Sequence, residues 1–245
     1  MKTPFPTGNP APRPFKGLAA AALLGGCGGP FSTLDPAGPA AQSIATLWWV
    51  MLAGSVVLFA LVMALFGFAF LRRHPSGNSD RPVGQAFVLW GGLVMPVAVL
   101  SALLGYALFT GERLVPRQGD GALRIDAHAR QWQWEFAYPD APGAASTIDV
   151  LHIPAGRPVD IHVTSGDVIH SFWAPRLGGK IDAIPGHTNV IRLFADRPGI
   201  YHGKCSEFCG TGHAMMGFTV EAHDAAGYPA RLTAPQDQPR RTASD

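Results

Sequence analysis

The residues of this 245-residue chain best suited to chemistry crowd into one stretch, Lys204-Cys205-Ser206-Glu207-Phe208-Cys209-Gly210-Thr211-Gly212-His213-Ala214-Met215-Met216-Gly217. Two thiols, an imidazole and a thioether so close together are soft donors of the kind that suits copper. A second imidazole, His170 in Asp167-Val168-Ile169-His170-Ser171-Phe172, can join them once the intervening strands fold back. A thiolate has more than one lone pair, so Cys205 and Cys209 can each bridge two coppers. Each copper then takes one imidazole, from His170 or His213, and one weak axial donor, Met216 for one and a main-chain carbonyl near Glu207 for the other. One electron shared over two equivalent metals spreads the change of charge, which favours fast electron transfer. Three simpler uses of the same residues compete. A Cys205–Cys209 disulfide leaves His213 and Met216 as coincidence, a tetrahedral zinc site has no use for Met216 or Glu207, and a blue-copper site needs only one of the thiols.

The remainder of the chain has to hold these donors in place. Charged residues make up only 15% of it and are almost absent from two long apolar runs, which marks a membrane protein. Residues 1–26 carry Lys2, Arg13 and Lys16 ahead of a short apolar run and read as a secretory signal. They end in Leu24-Gly25-Gly26-Cys27, which resembles a bacterial lipoprotein lipobox and makes Cys27 the expected site of lipidation. Residues 27–43 are expected to form an outer-face linker. The runs at about 44–71 and 85–109 predict a transmembrane helix hairpin spanning residues 44–111, with Trp48 and Trp49 at the headgroup boundary. Arg72, Arg73 and Arg81 mark the connecting loop as cytoplasmic, so the N-terminus and everything after Gly111 face outward. Pro96 falls inside the second helix, where neighbouring helices can accommodate it.

Beyond Glu112 the pattern becomes short and β-rich. Strands are expected at 123–127, 131–138, 147–153, 158–165, 168–174, 188–193, 199–204 and 218–222, divided by turns such as Pro185-Gly186 and Pro198-Gly199. That spacing predicts an all-β sandwich or barrel over 112–232, with a helical turn or two from Asp224 and a mobile tail over 233–245. Basic and acidic residues nearly balance from Arg113 onward, so a nucleic-acid partner has no electrostatic footprint here. Alternation along Gln131-Trp132-Gln133-Trp134-Glu135-Phe136 puts Trp132, Trp134 and Phe136 on one face, and Trp134 reads as core. Met215, next to the ligand positions, reads as packing. The remaining histidines, His152 and His223 among them, read as surface or hydrogen-bonded.

The motif C-x-E-x-C-x3-H-x2-M, filled here by Cys205, Glu207, Cys209, His213 and Met216, resembles that of the subunit II family of haem-copper cytochrome c oxidases. The Asp167–Phe172 segment, followed by Lys180-Ile181-Asp182-Ala183-Ile184-Pro185-Gly186, resembles the family's upstream motif, and the likeness runs from the lipobox to about Leu232. The resemblance implies a cupredoxin-like domain holding two copper ions as a binuclear copper A centre. His170 and Met216 would serve one copper, and His213 with the Glu207 main-chain carbonyl the other. It also implies a magnesium ion held by the Glu207 carboxylate against subunit I, electron entry from cytochrome c at Trp132, and cytochrome c docking at Asp167. Asp126, Glu135, Asp140, Asp149 and Asp182 are further docking candidates. The implied partners are subunits I and III and membrane lipid, and the implied location is the bacterial plasma membrane with the β-domain on its periplasmic face.

Two departures from the family pattern stand out. Gln133 occupies a position where the family carries a ring, and Gln85-Ala86-Phe87-Val88-Leu89-Trp90 lacks the Glu often found at the mouth of a proton path. No Cys-x-x-Cys-His occurs, so no haem c is attached. The rivals are a metal-free structural subunit II of a quinol oxidase, a kind that lacks these copper ligands, and a free-standing copper carrier or nitrous-oxide-reductase-like enzyme, for which a membrane hairpin has no use.

Overall fold

The computed structural model describes residues 28–71, 81–114, 121–141 and 143–233. The signal segment with Cys27, the basic loop and the tail from residue 234 lie outside the described residues. Helix α1 spans Pro39–Leu71. Helix α2 (Arg81–Leu89) runs through a π-helical turn at Trp90–Val94 into α3 (Met95–Leu114). Both spans are long and apolar enough to cross a bilayer. The only buried side chains on α1 are Ala41 and Ala45. Pro96 has no N–H to donate, and the chain widens just ahead of it: the Met95 N–H reaches back to the Trp90 carbonyl, which is π-helical spacing.

The stretch expected to be a linker over 27–43 is in part helix and in part docked. Pro39, whose fixed φ suits a first helical position, starts α1 five residues before the apolar run. Ala37, Ala41 and Ala45, one turn apart, are all buried. Ala37 donates to the Arg176 carbonyl at 2.7 Å and accepts from the Asp196 N–H at 2.9 Å, and Arg176 pairs with Asp35 at 2.8 Å. A Cβ on Gly38 would lie 2.1 Å from the Phe194 carbonyl oxygen, so only glycine fits there. The part of α1 from Trp48 to Leu71 is about 36 Å long, enough for the hydrocarbon core. The first two turns of α1 clamp the β-domain to that span.

Among the described residues, ten strands form two five-stranded sheets, the expected all-β cupredoxin-like sandwich. They are β1 (Leu123–Arg130), β2 (Gln133–Ala137), β3 (Thr147–Ile148), β4 (Val150–Pro154), β5 (Val159–Ser165), β6 (His170–Trp173), β7 (Lys180–Ala183), β8 (Asn189–Leu193), β9 (Gly199–Cys205) and β10 (Gly217–His223). A last helix, α4, covers Gly227–Thr233. One sheet has the order β3-β2-β1-β5-β8 and the other β4-β10-β9-β6-β7. The pairs β1/β5 and β4/β10 are parallel, and the other strand pairs are antiparallel.

The strand expected over 147–153 breaks at Asp149, which sits at φ 56°. Aspartate tolerates that left-handed conformation better than most residues. Its carboxylate accepts the Trp134 N–H at 2.8 Å and its own N–H bonds the Trp134 carbonyl, so it forms a structural corner. Strand β7 was not foreseen as a strand, and β2 begins one residue after Trp132, which therefore lies in the turn and outside the alternating face.

The core between the sheets is aromatic. Trp134 meets Phe172 and Phe218 edge-on, both at 5.6 Å between ring centroids, and Phe172 stacks on Phe218 at 4.6 Å. Trp134 also abuts His170, so the core backs directly onto the site. Phe218 has room only because residue 203 has no side chain, since a Cβ there would fall 2.2 Å from the ring. Gly203→Ala is expected to lower stability by about 1–3 kcal/mol through overpacking, read as a fall in thermal midpoint.

Candidate metal centre

Strand pairing brings the donors together. Phe172 of β6 pairs with Cys205, the last residue of β9, which places His170 beside the end of that strand. The Ser206 N–H bonds the Ser171 carbonyl at 2.9 Å, and the Cys205 N–H bonds the Met216 carbonyl at 2.8 Å. The segment 205–216 is therefore a loop closed at its base, with Cys205 and Met216 at its two feet. Inside it the Cys205 and Cys209 Sγ atoms lie 3.8 Å apart. Both are free thiols, at nearly twice the length of a disulfide.

Cys205 Sγ lies 3.9 Å from His170 Nδ1 and 3.2 Å from the Glu207 carbonyl oxygen. Cys209 Sγ lies 3.6 Å from His213 Nδ1 and 3.8 Å from Met216 Sδ. His170, Cys205, Cys209 and Met216 are all buried, and the four form a possible metal site. Burial and the adjacent Cys205 push the Cys209 thiol up to about 12, so a metal binding there must displace its proton. Two thiolates on one metal at about 2.3 Å each stand about 3.8 Å apart. The donor set is soft in kind, as suits copper, and the sulfur spacing is that of two thiolates sharing a metal.

Asp167 does more than the sequence revealed. Its carboxylate accepts from His170 Nε2 at 2.8 Å, from the Val168 N–H at 2.6 Å and from the Gln131 N–H at 2.7 Å. With Nε2 held by the carboxylate, Nδ1 of His170 is left facing the sulfurs, as in carboxylate–histidine–metal triads. Partial burial pushes the Asp167 carboxyl up, but the bonds from His170, Gln131 and Val168 outweigh it and bring it down to about 2. A carboxyl held below its unfolded value stabilises the fold above pH ~4, and that contribution is lost as pH falls towards ~2. Asp167→Asn is expected to cost about 1 kcal/mol near neutral pH, a figure discounted for the solvent-open rim of the carboxylate. Acid titration of unfolding should show the wild-type advantage disappearing below pH ~4.

The same turn carries Trp132. Its indole N–H donates to the Cys209 carbonyl at 3.2 Å, an acceptor shared with the Gln131 amide at 2.8 Å. The ring lies on the glycine backbone of the ligand loop: a Cβ on Gly212 would be 2.3 Å from Trp132 Cδ2, and one on Gly210 would be 3.3 Å from Cζ2. Gln131, Gly210 and Gly212 are thus site residues that sequence reasoning missed. Glu207 turns its carboxylate outward, 3.7 Å from Lys180 Nζ. Met215, expected to pack, is 85% exposed, and Phe208, whose ring lies 5.8 Å from that of His213, is 77% exposed. Among the other docking candidates, Asp126 pairs with Arg124, Asp182 with Lys180, and Asp140 accepts the Arg124 backbone N–H.

A β-sandwich on which the first turns of one membrane-length helix dock, with buried thiols, a buried imidazole and a thioether forming a possible metal site at one end, defines a cupredoxin-like domain joined to two apolar helices. The model of the family "Cytochrome C oxidase subunit II, periplasmic domain" matches residues 144–223. Cytochrome c oxidase subunit 2 of Alkalihalophilus pseudofirmus is 35% identical over 240 residues, 91% of this chain and 69% of that one. The protein of the same name from Albinaria caerulea is 29% identical, covering 82% of this chain and 96% of that one. Quinol oxidase subunit 2 of Bacillus cereus is 30% identical, covering 86% and 75%. The solved periplasmic domain of subunit II of cytochrome oxidase (CoxB) of Bradyrhizobium japonicum matches 48% of this chain and 94% of that one at 32% identity, with a TM-score of 0.44. The chain belongs to the cytochrome c oxidase subunit II family, whose members are subunits of haem-copper terminal oxidases.

Proposed function

We propose that this chain is the electron-entry subunit of a bacterial cytochrome c oxidase. Its two coppers would be held by Cys205 and Cys209, with His170 and Met216 serving one, and His213 and the Glu207 carbonyl the other. When bound, the copper pair supplies reversible one-electron redox chemistry. The observation that carries the reading is the pair of unbonded sulfurs 3.8 Å apart with His170 reached from Cys205 and His213 from Cys209. A single tetrahedral zinc ion needs all four donors within about 3.3–3.8 Å of one another. His213 lies outside the cluster in which His170, Cys205 and Cys209 are mutually within 4.8 Å, which favours two metals over one.

The chain's own residues prepare the site. Asp167 fixes the His170 tautomer, the aromatic core excludes water from behind, and Trp132 lies between solvent and the Cys209 main chain. The exposed rim of Val168, Ile169, Phe208 and Met215 suits contact with the apolar edge of a cytochrome c, with Asp167 as a nearby carboxylate. The Glu207 carboxylate, turned outward beside Lys180, would hold a magnesium ion against subunit I. The β-domain stands on the periplasmic face of the plasma membrane, because the start of α1 docks on it and the chain leaving α3 enters it. The arginine-bearing loop is then cytoplasmic. Cys27 is the lipidation site, and α1, α2 and α3 expose apolar side chains that suit lipid and subunits I and III.

The likeness to a quinol oxidase subunit favours one alternative, a metal-free structural role, but such a role gives no reason for these donors to converge. Stopped-flow mixing of the assembled oxidase with reduced cytochrome c separates the two. The proposal expects rapid reduction of a copper absorption band, and turnover supported by quinol alone with no such band would overturn it.

A further inference from the structure

At the end of the sandwich away from the thiolates, β4 and β10 run parallel with His152 in register with Glu221. Residues two apart on a strand share a face, so Glu221 and His223 project on the same side of β10, beside His152. The result is a compact trio. His152 Nδ1 lies 3.0 Å from His223 Nε2 and 3.4 Å from Glu221 Oε2, and His223 Nε2 lies 3.8 Å from the same carboxylate oxygen. Two ring nitrogens and a carboxylate oxygen thus lie within 3.8 Å of one another, the two rings close enough to share a hydrogen bond when no ion is between them.

We propose that His152, Glu221 and His223 form a second metal site, for a divalent ion of the zinc class. Metal–nitrogen and metal–oxygen lengths of about 2.0–2.2 Å make the edges of a tetrahedron about 3.3–3.5 Å, and the three observed edges bracket that value. Two imidazoles and one carboxylate are a borderline donor set, distinct from the sulfur-rich loop. The His152 side chain is fully buried, and its ring stacks against Tyr138. His223 and Glu221 are 20% and 30% exposed, which leaves a solvent-side position for a water as fourth ligand. Asp224 stands outside this trio, and one of its carboxylate oxygens accepts the Gly227 N–H at 2.6 Å at the start of α4.

The site lies about 17–23 Å from Met216 along β10, too far for any donor to be shared. An ion there ties edge strand β4 to β10 and stabilises the fold by mass action. This inference does not depend on the copper reading, and the test keeps the two apart.

The test is a Co2+ titration of the full chain in detergent. Cobalt bound by thiolates shows intense sulfur-to-metal charge-transfer bands, whereas an imidazole–carboxylate site shows only the visible bands of a four-coordinate ion. Wild type is expected to show thiolate charge-transfer bands from cobalt at the cysteines and, beside them, one further Co2+ that adds only four-coordinate visible bands and is displaceable by Zn2+. His223→Ala and His152→Val should each weaken that uptake by at least about 10-fold, the lower range for lost support of a metal ligand. The thiolate bands should be unchanged and report that the variants are folded. Absence of the sulfur-free cobalt signal in wild type, or its persistence in both variants, would overturn the proposal.

Discussion

Cys209→Ser should leave a folded, membrane-bound protein that no longer holds its copper. Cys209 is the hub of the loop, since its sulfur alone lies within 4 Å of Cys205, His213 and Met216. Serine keeps the shape but replaces a soft thiolate with a hard hydroxyl, a poor copper ligand. It also puts a hydroxyl into a buried position, at a cost of about 1–3 kcal/mol, which the base of the loop tolerates because the Cys205–Met216 and Ser206–Ser171 backbone bonds do not involve residue 209. Copper affinity is expected to fall by at least about 100-fold, the upper range for lost support of a metal ligand. Electron uptake from cytochrome c should vanish with it. Metal analysis after dialysis checks the first expectation and stopped-flow the second. Far-ultraviolet circular dichroism separates loss of metal from loss of fold.

Gly212→Ala should do the opposite, keeping the copper and slowing electron entry. The new Cβ would meet the Trp132 ring at 2.3 Å, while no donor atom is replaced. The ring must lift off the loop and give up its bond to the Cys209 carbonyl. Displacements on the order of 1 Å cost up to about 10²-fold where geometry governs a rate, so uptake from reduced cytochrome c should fall by 10- to 100-fold. Trp132→Gln should match it, and combining the two changes should add little, because both remove the same contact. Copper absorption should be retained in all three. Wild-type uptake kinetics in Trp132→Gln would place the entry point elsewhere.

The possible metal site was legible in the sequence because Cys205, Cys209 and Met216 lie on one loop, in a cluster of soft donors that suits a metal. Both apolar spans and most of the strands were legible too, from long uncharged runs and from turn residues between β-rich segments. Contacts that depend on register were not. Alternation assigns a side chain to one of two faces but not to a neighbour on another strand. It could not show that Asp167 reaches Gln131 across 36 positions, or that His152 meets His223 across 71. Nor could it show that Asp149 forms a corner, through its left-handed backbone and its bonds to Trp134. The helix start was misplaced for a different reason. Apolar character begins at Ile44, but Pro39 and the alanines after it are held helical by packing on the β-domain, which hydropathy does not report.

The most direct measurement is copper-to-protein stoichiometry with electron paramagnetic resonance on the purified full chain. Two coppers per chain are expected, with a purple oxidised form whose hyperfine pattern has more lines than one copper nucleus can give, because one unpaired electron is shared by two. A single copper with an ordinary pattern, or a colourless chain that holds zinc and refuses copper, would contradict the assignment.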